Sequence, residues 1–167
     1  MPALFPAAVV SLASCALEPL APRDAAALGA RLAVIDPWRT LGLSAATLTR
    51  NLLCDDPSVA RYVVLVDGEA AGAVALRHPW LRGPFLELLA VFEPRQRSGL
   101  GREIVEWIAG TTRAAAPNLW VTVSSFNARA RAFYAALGFG EIAALPNLIA
   151  PGRDEILLRL DVRAPAR

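Results

Sequence analysis

Two short stretches of this chain carry residue types that do chemistry only when a fold brings their atoms together. The first is Gln96-Arg97-Ser98-Gly99-Leu100-Gly101, lying between an apolar run that ends at Val91 and a helical pattern that opens at Leu100. A helix N-terminus leaves backbone N–H groups unpaired and carries the positive end of the helix dipole, so it attracts anions. Gly99 and Gly101 let that backbone approach a pyrophosphate, since a Cβ at either position would stand between the amides and the phosphate. Arg95, Arg97 and Arg102 add charge at the rim. The hexapeptide has neither the third glycine of a dinucleotide fingerprint nor the Gly-Lys-Ser/Thr of a P-loop. The second stretch holds Asn127 at a helix N-cap position and Tyr134 seven residues later. Seven residues are nearly two turns, which sets an amide and a phenol on one side of a helix about 10 Å apart, while Phe133 and Leu137 turn toward the core. Taken singly, each has a plainer reading, as a glycine-containing helix start and as a half-buried tyrosine.

The elements that must position these residues follow from the spacing of apolar side chains. Ala16–Leu20 reads as a first strand, and a helix opens near Pro22-Arg23-Asp24 with Leu28, Leu32 and Ile35 at helical spacing. Ser44 caps a second helix that runs to about Leu53 and stops at Asp55-Asp56-Pro57. Arg61–Val66 and Ala70–Leu76 flank Asp67-Gly68-Glu69, a hairpin signal, because Asp-Gly tolerates the positive φ of a tight turn. Pro84–Val91 is the third strand of that meander. A helix over Leu100–Thr112, a strand over Leu119–Val123, a helix over Ala128–Leu137 and strands near Glu141–Leu145 and Glu155–Val162 complete the pattern. It predicts an α/β (α+β) fold of one domain spanning 1–167, with a single mixed, mostly antiparallel sheet of about seven strands flanked by four helices.

Composition removes several function classes. The chain has 167 residues, 55% of them hydrophobic and 19% charged, which suits one domain with its own core. Its 17 basic residues are all Arg against 15 acids, a net charge of +2 spread along the chain, so no nucleic-acid footprint is expected. His78 is the sole histidine, which rules out zinc motifs built on two histidines; in His78-Pro79-Trp80 it reads as a surface-turn residue. Cys15 and Cys54 are too far apart for a CxxC pair and read as reduced, buried thiols of a cytoplasmic protein. Residues 1–15 form an apolar arm in which Leu12-Ala13-Ser14-Cys15 resembles a lipoprotein cleavage box. Pro2 and Pro6 break the helical run that an export signal needs, and no basic residue precedes it. An exported lipoprotein is therefore the lesser reading, and no membrane association is expected.

Together, the Gln96–Gly101 loop and the set Asn127, Tyr134 and Leu137-Gly138-Phe139 resemble the two signature motifs of the GNAT N-acetyltransferase superfamily, in order and with the usual strand between them. Within it, Pro37-Trp38, Leu89-Ala90-Val91 and Leu119-Trp120 are similar to the bacterial enzymes that acetylate the N-terminal amine of ribosomal proteins. The resemblance implies acetyl-CoA as cosubstrate, no metal, and direct attack by a primary amine, whether of a small molecule or a peptide N-terminus. It implies that strands ending at Val91 and Ser124 splay apart, that the backbone of Leu89 and Val91 pairs with the pantetheine arm with Ala90 also at the cofactor site, that residues 96–102 hold the pyrophosphate with Asn127 nearby, and that Tyr134 protonates the departing thiolate. Trp38 and the 36–44 loop are expected to border the acceptor. Monomer and homodimer both remain open.

One residue departs from the pattern. The ribosomal enzymes carry a catalytic Glu five residues before the asparagine, and here Thr122 stands there. Glu87 is the replacement expected to act as general base, because strand alternation places it on the sheet face of Leu89; a solvated position on the exposed face is the alternative. The loss also permits a second function, an acyl-CoA-binding module without turnover.

Overall fold

The computed structural model describes residues 3–164; residues 1–2 and 165–167 of the expected domain lie outside the described residues. Its elements are β1 (Val10–Ser11), β2 (Ala16–Pro19), α1 (Ala25–Ala33), α2 (Ala45–Leu53), β3 (Val59–Val66), β4 (Glu69–Trp80), β5 (Gly83–Val91), α3 (Leu100–Ala115), β6 (Asn118–Ser124), α4 (Ala128–Ala136), β7 (Gly140–Ala150) and β8 (Arg153–Asp161). They build one eight-stranded sheet in the order β1-β2-β3-β4-β5-β6-β8-β7. Every neighbouring pair is antiparallel except β5 and β6. The expected α/β class with a mostly antiparallel mixed sheet is therefore observed, with eight strands in place of about seven.

The extra strand comes from the apolar arm. Leu12 N–H donates to Cys15 O (2.8 Å), closing the β1–β2 turn. Phe5 is buried, with its ring 5.8 Å from that of Trp107, and the Tyr62 hydroxyl donates to Pro6 O at 2.6 Å. The arm that resembles an export signal is thus packed into the core against α3 and β3. Of the two thiols, Cys15 is buried and Cys54 is exposed, so the expectation of two buried cysteines holds for the first alone. Burial, helped by the charge of Glu103, pushes the Cys15 thiol up to about 11.

The hairpin signal is met closely: Asp67 (φ 53°) and Gly68 (φ 80°) are both left-handed and join β3 to β4, as a two-residue hairpin turn requires. His78-Pro79-Trp80 does not turn. β4 runs through it, with His78 N–H on Ser58 O at 2.8 Å, because the pairing of β4 with the loop before β3 outlasts the local preference of a His-Pro step. Pro22–Asp24 forms a 3-10 turn that leads into α1.

Strand alternation divides the core into two layers. Tyr62 and Val64 of β3, Leu86 of β5 and Leu119, Val121 and Val123 of β6 meet Ile104, Val105 and Ile108 of α3 on one face. Val63, Ala73 and Ala90 meet Leu28, Leu32, Leu48 and Leu52 of α1 and α2 on the other. If the arm is core, Phe5→Ala lowers unfolding free energy by about 3 kcal/mol or more, as for other buried aromatics. Urea denaturation monitored by Trp fluorescence measures this, and a change within about 0.5 kcal/mol, typical of surface positions, would place the arm outside the core.

Candidate functional site

β5 and β6 pair over only two steps, Phe85 with Trp120 and Leu86 with Val121, and then separate. Beyond that point β5 stays paired with β4. Phe92 N–H donates to Ala71 O, so the residues in step with Phe92, namely Ala90 and Leu88, turn their backbone groups to β4, and the alternate residues Leu89 and Val91 turn theirs into the gap. The Gln96 side chain reaches Val91 O at 2.9 Å, from the gap side, and Arg129 in turn donates to Gln96 Oε1 at 2.8 Å. These bonds tie the end of β5, the loop before α3 and the start of α4 into one rim.

The gap opens into a cleft of about 780 Å³. It collects every site residue singled out in the sequence except Ser98: the loop and helix residues 96, 97 and 99–102, the strand residues 87 and 89–91, and Trp38, Thr122, Asn127 and Tyr134. Ser98 is exposed and donates to Arg95 O. His78 does not line the cleft. Among the described residues no three His, Cys, Asp or Glu side chains gather where they could hold a metal ion.

At the mouth between α3 and α4 the loop is shaped for an anion. Gly99 (φ 90°) and Arg97 (φ 60°) are left-handed, and nothing lies within 4 Å of where a Gly99 Cβ would stand. Glu103 N–H, bonded to Gly99 O, is the first donor consumed by α3, and no side chain caps the helix. The N–H groups of Leu100, Gly101 and Arg102 are thereby left to face the cleft with the helix dipole behind them. Arg97 is in no ion pair among the described residues, whereas Arg95 is held by Asp67 (2.9 Å) and Arg102 by Glu106 (3.6 Å). Phe133, expected to face only the core, lies 3.3 Å from a Cβ placed on Gly101 and borders the cleft, wedged between the two helices.

Asn127 caps α4 as its position predicts, its side chain accepting from Ala130 N–H at 3.1 Å. Two turns later Tyr134 is 5% exposed and packs edge-on against Phe133 and Phe139. Burial alone raises its phenol far above the ordinary tyrosine value, so it is protonated throughout the working pH range.

Glu87 lines the cleft, but not by simple alternation. The β4–β5 ladder shifts register between Ala75 and Leu76, and Glu87 is the β5 residue left without a partner. Face assignments made across such a bulge fail. Its carboxylate is bound by Arg77, whose guanidinium also reaches Asp56 at 2.8 Å and Ser58 at 2.7 Å. This cation-bound carboxylate differs from the free one that a base at this position calls for.

The structure adds a residue that sequence reasoning passed over. Glu155 on β8 is directly opposite Ser124 on β6, is 5% exposed, lines the same cleft and accepts from the Ser124 hydroxyl at 2.5 Å. Burial raises its pKa; hydrogen bonds from Ser124 and Thr122 partly offset the rise. The signal available in the sequence was the second acid of Asp154-Glu155, standing directly before the apolar Ile156-Leu157-Leu158.

With this geometry in place, the comparisons decide the family. The model of the Acetyltransferase (GNAT) family matches residues 30–139, well over half of the chain. The chain belongs to the GNAT acetyltransferase family. No curated protein matches it significantly by sequence. Among solved structures, an acetyltransferase from Thermus thermophilus superposes with a TM-score of 0.72 at 23% identity, covering 90% of this chain and 99% of that one. The ribosomal-protein-S18-alanine N-acetyltransferase from Escherichia coli gives 0.66 at 24%, covering 90% and 96%. Mycobacterium smegmatis RimJ in complex with CoA-disulfide gives 0.71 at 21%, covering 96% and 90%. At these identities the likeness establishes the fold that this GNAT protein shares with them. No helix among its described residues is long and apolar enough to cross a membrane.

A pH dependence of stability follows from Glu155. Its folded pKa lies above its unfolded value of about 4.3. Protonated Glu155 is therefore favoured in the fold, and its contribution is complete below that pH and lost as pH rises through the folded value. Asp56, lowered to about 2 mainly by bonds from Ser58 and Arg77, and Asp36, lowered chiefly by Thr40, act in the opposite sense and below about pH 3.9. The windows are distinct. Glu155→Gln, which keeps a partner for Ser124, should remove a decline in stability that the wild-type protein shows as pH rises above about 4.3; parallel Tm–pH curves for the two proteins would contradict the assignment.

Proposed function

We propose that this GNAT protein transfers an acetyl group from acetyl-CoA to a primary amine, by direct attack with both substrates held in the cleft. The observation that carries this reading is the gap between β5 and β6, where the exposed backbone of Leu89 and Val91 continues into the anion-shaped N-terminus of α3. A pantetheine arm fits as one more strand along β5, and a pyrophosphate fits against the N–H groups of residues 99–102, flanked by Gln96, Arg97 and Asn127. Gly99, with nothing within 4 Å of where its Cβ would stand, leaves the room a phosphate needs, while the Gly101 position, expected from the sequence to do the same, makes room for the Phe133 ring.

Holding amine and thioester in line accounts for much of the acceleration expected of such an enzyme. The Val91 N–H, directed into the gap, polarises the thioester oxygen as negative charge develops there. Tyr134, always protonated, donates to the sulfur as the thiolate departs. Trp38, in the segment between α1 and α2, borders the opposite mouth together with Glu87 and Thr122 and receives the acceptor. Glu87 there orients a cationic amine while remaining bound to Arg77. The acceptor is a small-molecule amine or a peptide N-terminus; the alanine of a ribosomal protein for which the E. coli enzyme is named is one member of that class. We assign the activity to the cytoplasm. A module that binds acyl-CoA without turnover has Thr122 as its support, and the presence of Tyr134 in the cleft favours the enzyme.

The two halves of this reading are separable. Gly99→Asp sets a carboxylate against the phosphates, and Gly99→Asn controls for the left-handed backbone, which both residues tolerate. The thermal shift that acetyl-CoA gives the wild-type protein should vanish in Gly99→Asp and survive in part in Gly99→Asn; a full shift in both would remove the loop from the binding site. Tyr134→Phe should leave acetyl-CoA binding nearly constant and lower kcat by roughly ten-fold to several thousand-fold, the range of a lost general acid. CoA-thiol release with peptide N-termini, amino acids, polyamines and aminoglycosides reads this out, and an undiminished kcat would leave Tyr134 a packing residue.

A further inference from the structure

The sheet has two faces at the cleft, and its proton-carrying groups are divided between them. On β6 the odd-numbered Leu119, Val121 and Val123 join the core layer of α3, and on β8 Ile156, Leu158 and Leu160 do the same. The intervening residues Thr122, Ser124 and Glu155 therefore occupy the opposite face, the one covered by α1 and α2. Tyr134, on α4, packs into the α3 layer. The gap between β5 and β6 is where the two sides communicate, and both Tyr134 and Glu155, the latter one strand beyond β6, line the cleft into which it opens. On the acetyl-transfer reading, a thioester drawn in from the α3–α4 side would present its sulfur to the Tyr134 side and its carbonyl carbon to the α1–α2 side, from which the acceptor would enter.

From this placement we infer that Glu155, on the strand next to β6, is the general base of the reaction, taking a proton from the acceptor's ammonium directly or through one water. This rests on the acetyl-transfer reading above and gives the base a different residue from Glu87. The carboxylate has what the role needs. It is buried yet borders the cleft, and its hydrogen bonds come from the hydroxyls of Ser124 and Thr122, with no cation bound to it among the described residues. Burial raises its proton affinity toward that of an amine, and a base matched to its acid transfers a proton most efficiently. Its titration is set by burial and by those two hydroxyls on β6; the Tyr134 phenol on α4 and the Glu87 carboxylate on β5 line the same cleft. Leu145 stands opposite it on β7.

The proton account closes. The ammonium gives one proton to the Glu155 carboxylate, and the neutral amine nitrogen forms a bond to the thioester carbon. As the C–S bond breaks, the sulfur takes the Tyr134 proton, and the nitrogen's second departing proton restores the phenol. The amide and CoA thiol leave, and Glu155 loses its proton to water. No oxidant, metal or further reactant enters.

The experiment compares the wild-type protein, Glu155→Gln, Glu87→Gln and the double variant Glu155→Gln/Thr122→Glu, with acetyl-CoA and the amine panel, over about pH 6 to 9.5, a range that brackets the pKa of an α-amine. In Glu155→Gln we expect kcat/KM at pH 7 to fall about 100-fold or more, the deficit shrinking as pH rises and solution removes the amine's proton, with acetyl-CoA's thermal shift unchanged. Thr122→Glu, restoring a carboxylate beside the vacated position, should recover part of the loss. An acceptor of pKa well below 7, already neutral, should be acetylated equally by Glu155→Gln and wild type. A uniform loss at every pH and with every amine would make Glu155 structural and overturn the inference, as would a profile that overlays the wild type's, or a loss of this pH-dependent kind in Glu87→Gln alone. A wild-type protein that shows the thermal shift but releases no CoA with any amine would instead overturn the transfer reading itself. If Glu155→Gln is poorly folded, Glu155→Asp, which keeps an acceptor for Ser124 but withdraws the carboxylate, carries the same pH comparison.

Discussion

The two-residue contact between β5 and β6 governs the rest of the molecule. A sheet normally consumes the hydrogen-bonding capacity of every interior strand, because an unpaired buried N–H or C=O costs as much as a lost hydrogen bond. Here both strands are paired on their outer sides, β6 with β8 throughout and β5 with β4 apart from the bulges, and they are joined to each other only at Phe85–Trp120 and Leu86–Val121. Past Leu86 the backbone of Leu89 and Val91 has no strand to pair with. That arrangement is tolerable only where water or a ligand reaches it, so an opening in the middle of the sheet and a ligand that behaves as a strand are the same physical requirement. Gln96 relieves one acceptor, Val91 O, and ties the opening to the loop that follows.

The two helical layers keep the opening from closing. Leu100, Ile104 and Ile108 fix α3 on the sheet so that its N-terminus points at the end of β5, and Phe133 against Gly101 sets the spacing between α3 and α4. On the other face Leu28, Leu32, Leu48 and Leu52 hold α1 and α2 over Ala73 and Ala90. Their connecting segment, with Asp36 bonded to Arg39 (2.8 Å) and Thr40 (2.7 Å), lines the cleft and carries Trp38 to it. Each layer thus contributes one wall.

Much of this was legible in the residues, for reasons that differ by element. The Asp67-Gly68 turn, the Ser44 cap (Thr47 N–H to Ser44 Oγ, 3.1 Å) and the Asn127 cap are local, settled by a few atoms, and they fall where the sequence places them. The glycine loop was equally local. What escaped was nonlocal. β1 is two residues long and exists because Phe5 and Pro6 find Trp107 and Tyr62 far along the chain. The bulge at Glu87 depends on how β4 twists against β5, so alternation misread its surroundings. The Arg77–Asp56–Glu87 cluster joins three separate segments, and no spacing announces it. Glu155 becomes visible only once β8 is known to lie beside β6 in the register that sets it against Ser124.

That register also bears on how protons can be divided. A phenol raised well above the ordinary tyrosine value is a poor acid toward a free thiolate, whose conjugate thiol has a pKa of about 8.5. Full transfer from Tyr134 to a departed thiolate would be uphill. It becomes favourable when the phenol is replenished at the same moment by the nitrogen that has just attacked, because a protonated amide nitrogen is far more acidic than any phenol. Tyr134 therefore suits the role of a relay, keeping its proton until both bonds are changing. The first proton, on the incoming ammonium, has to go before attack can begin, and a relay occupied in this way cannot also remove it. A second acceptor of protons on the opposite face answers that need, with a carboxylate buried enough to hold a proton but bonded to hydroxyls that can let it go. Ser124 and Thr122 supply those bonds to Glu155. In the acetyl transfer proposed above, the physical division between the faces of the sheet would then also be a division of labour between the two protons the amine must lose.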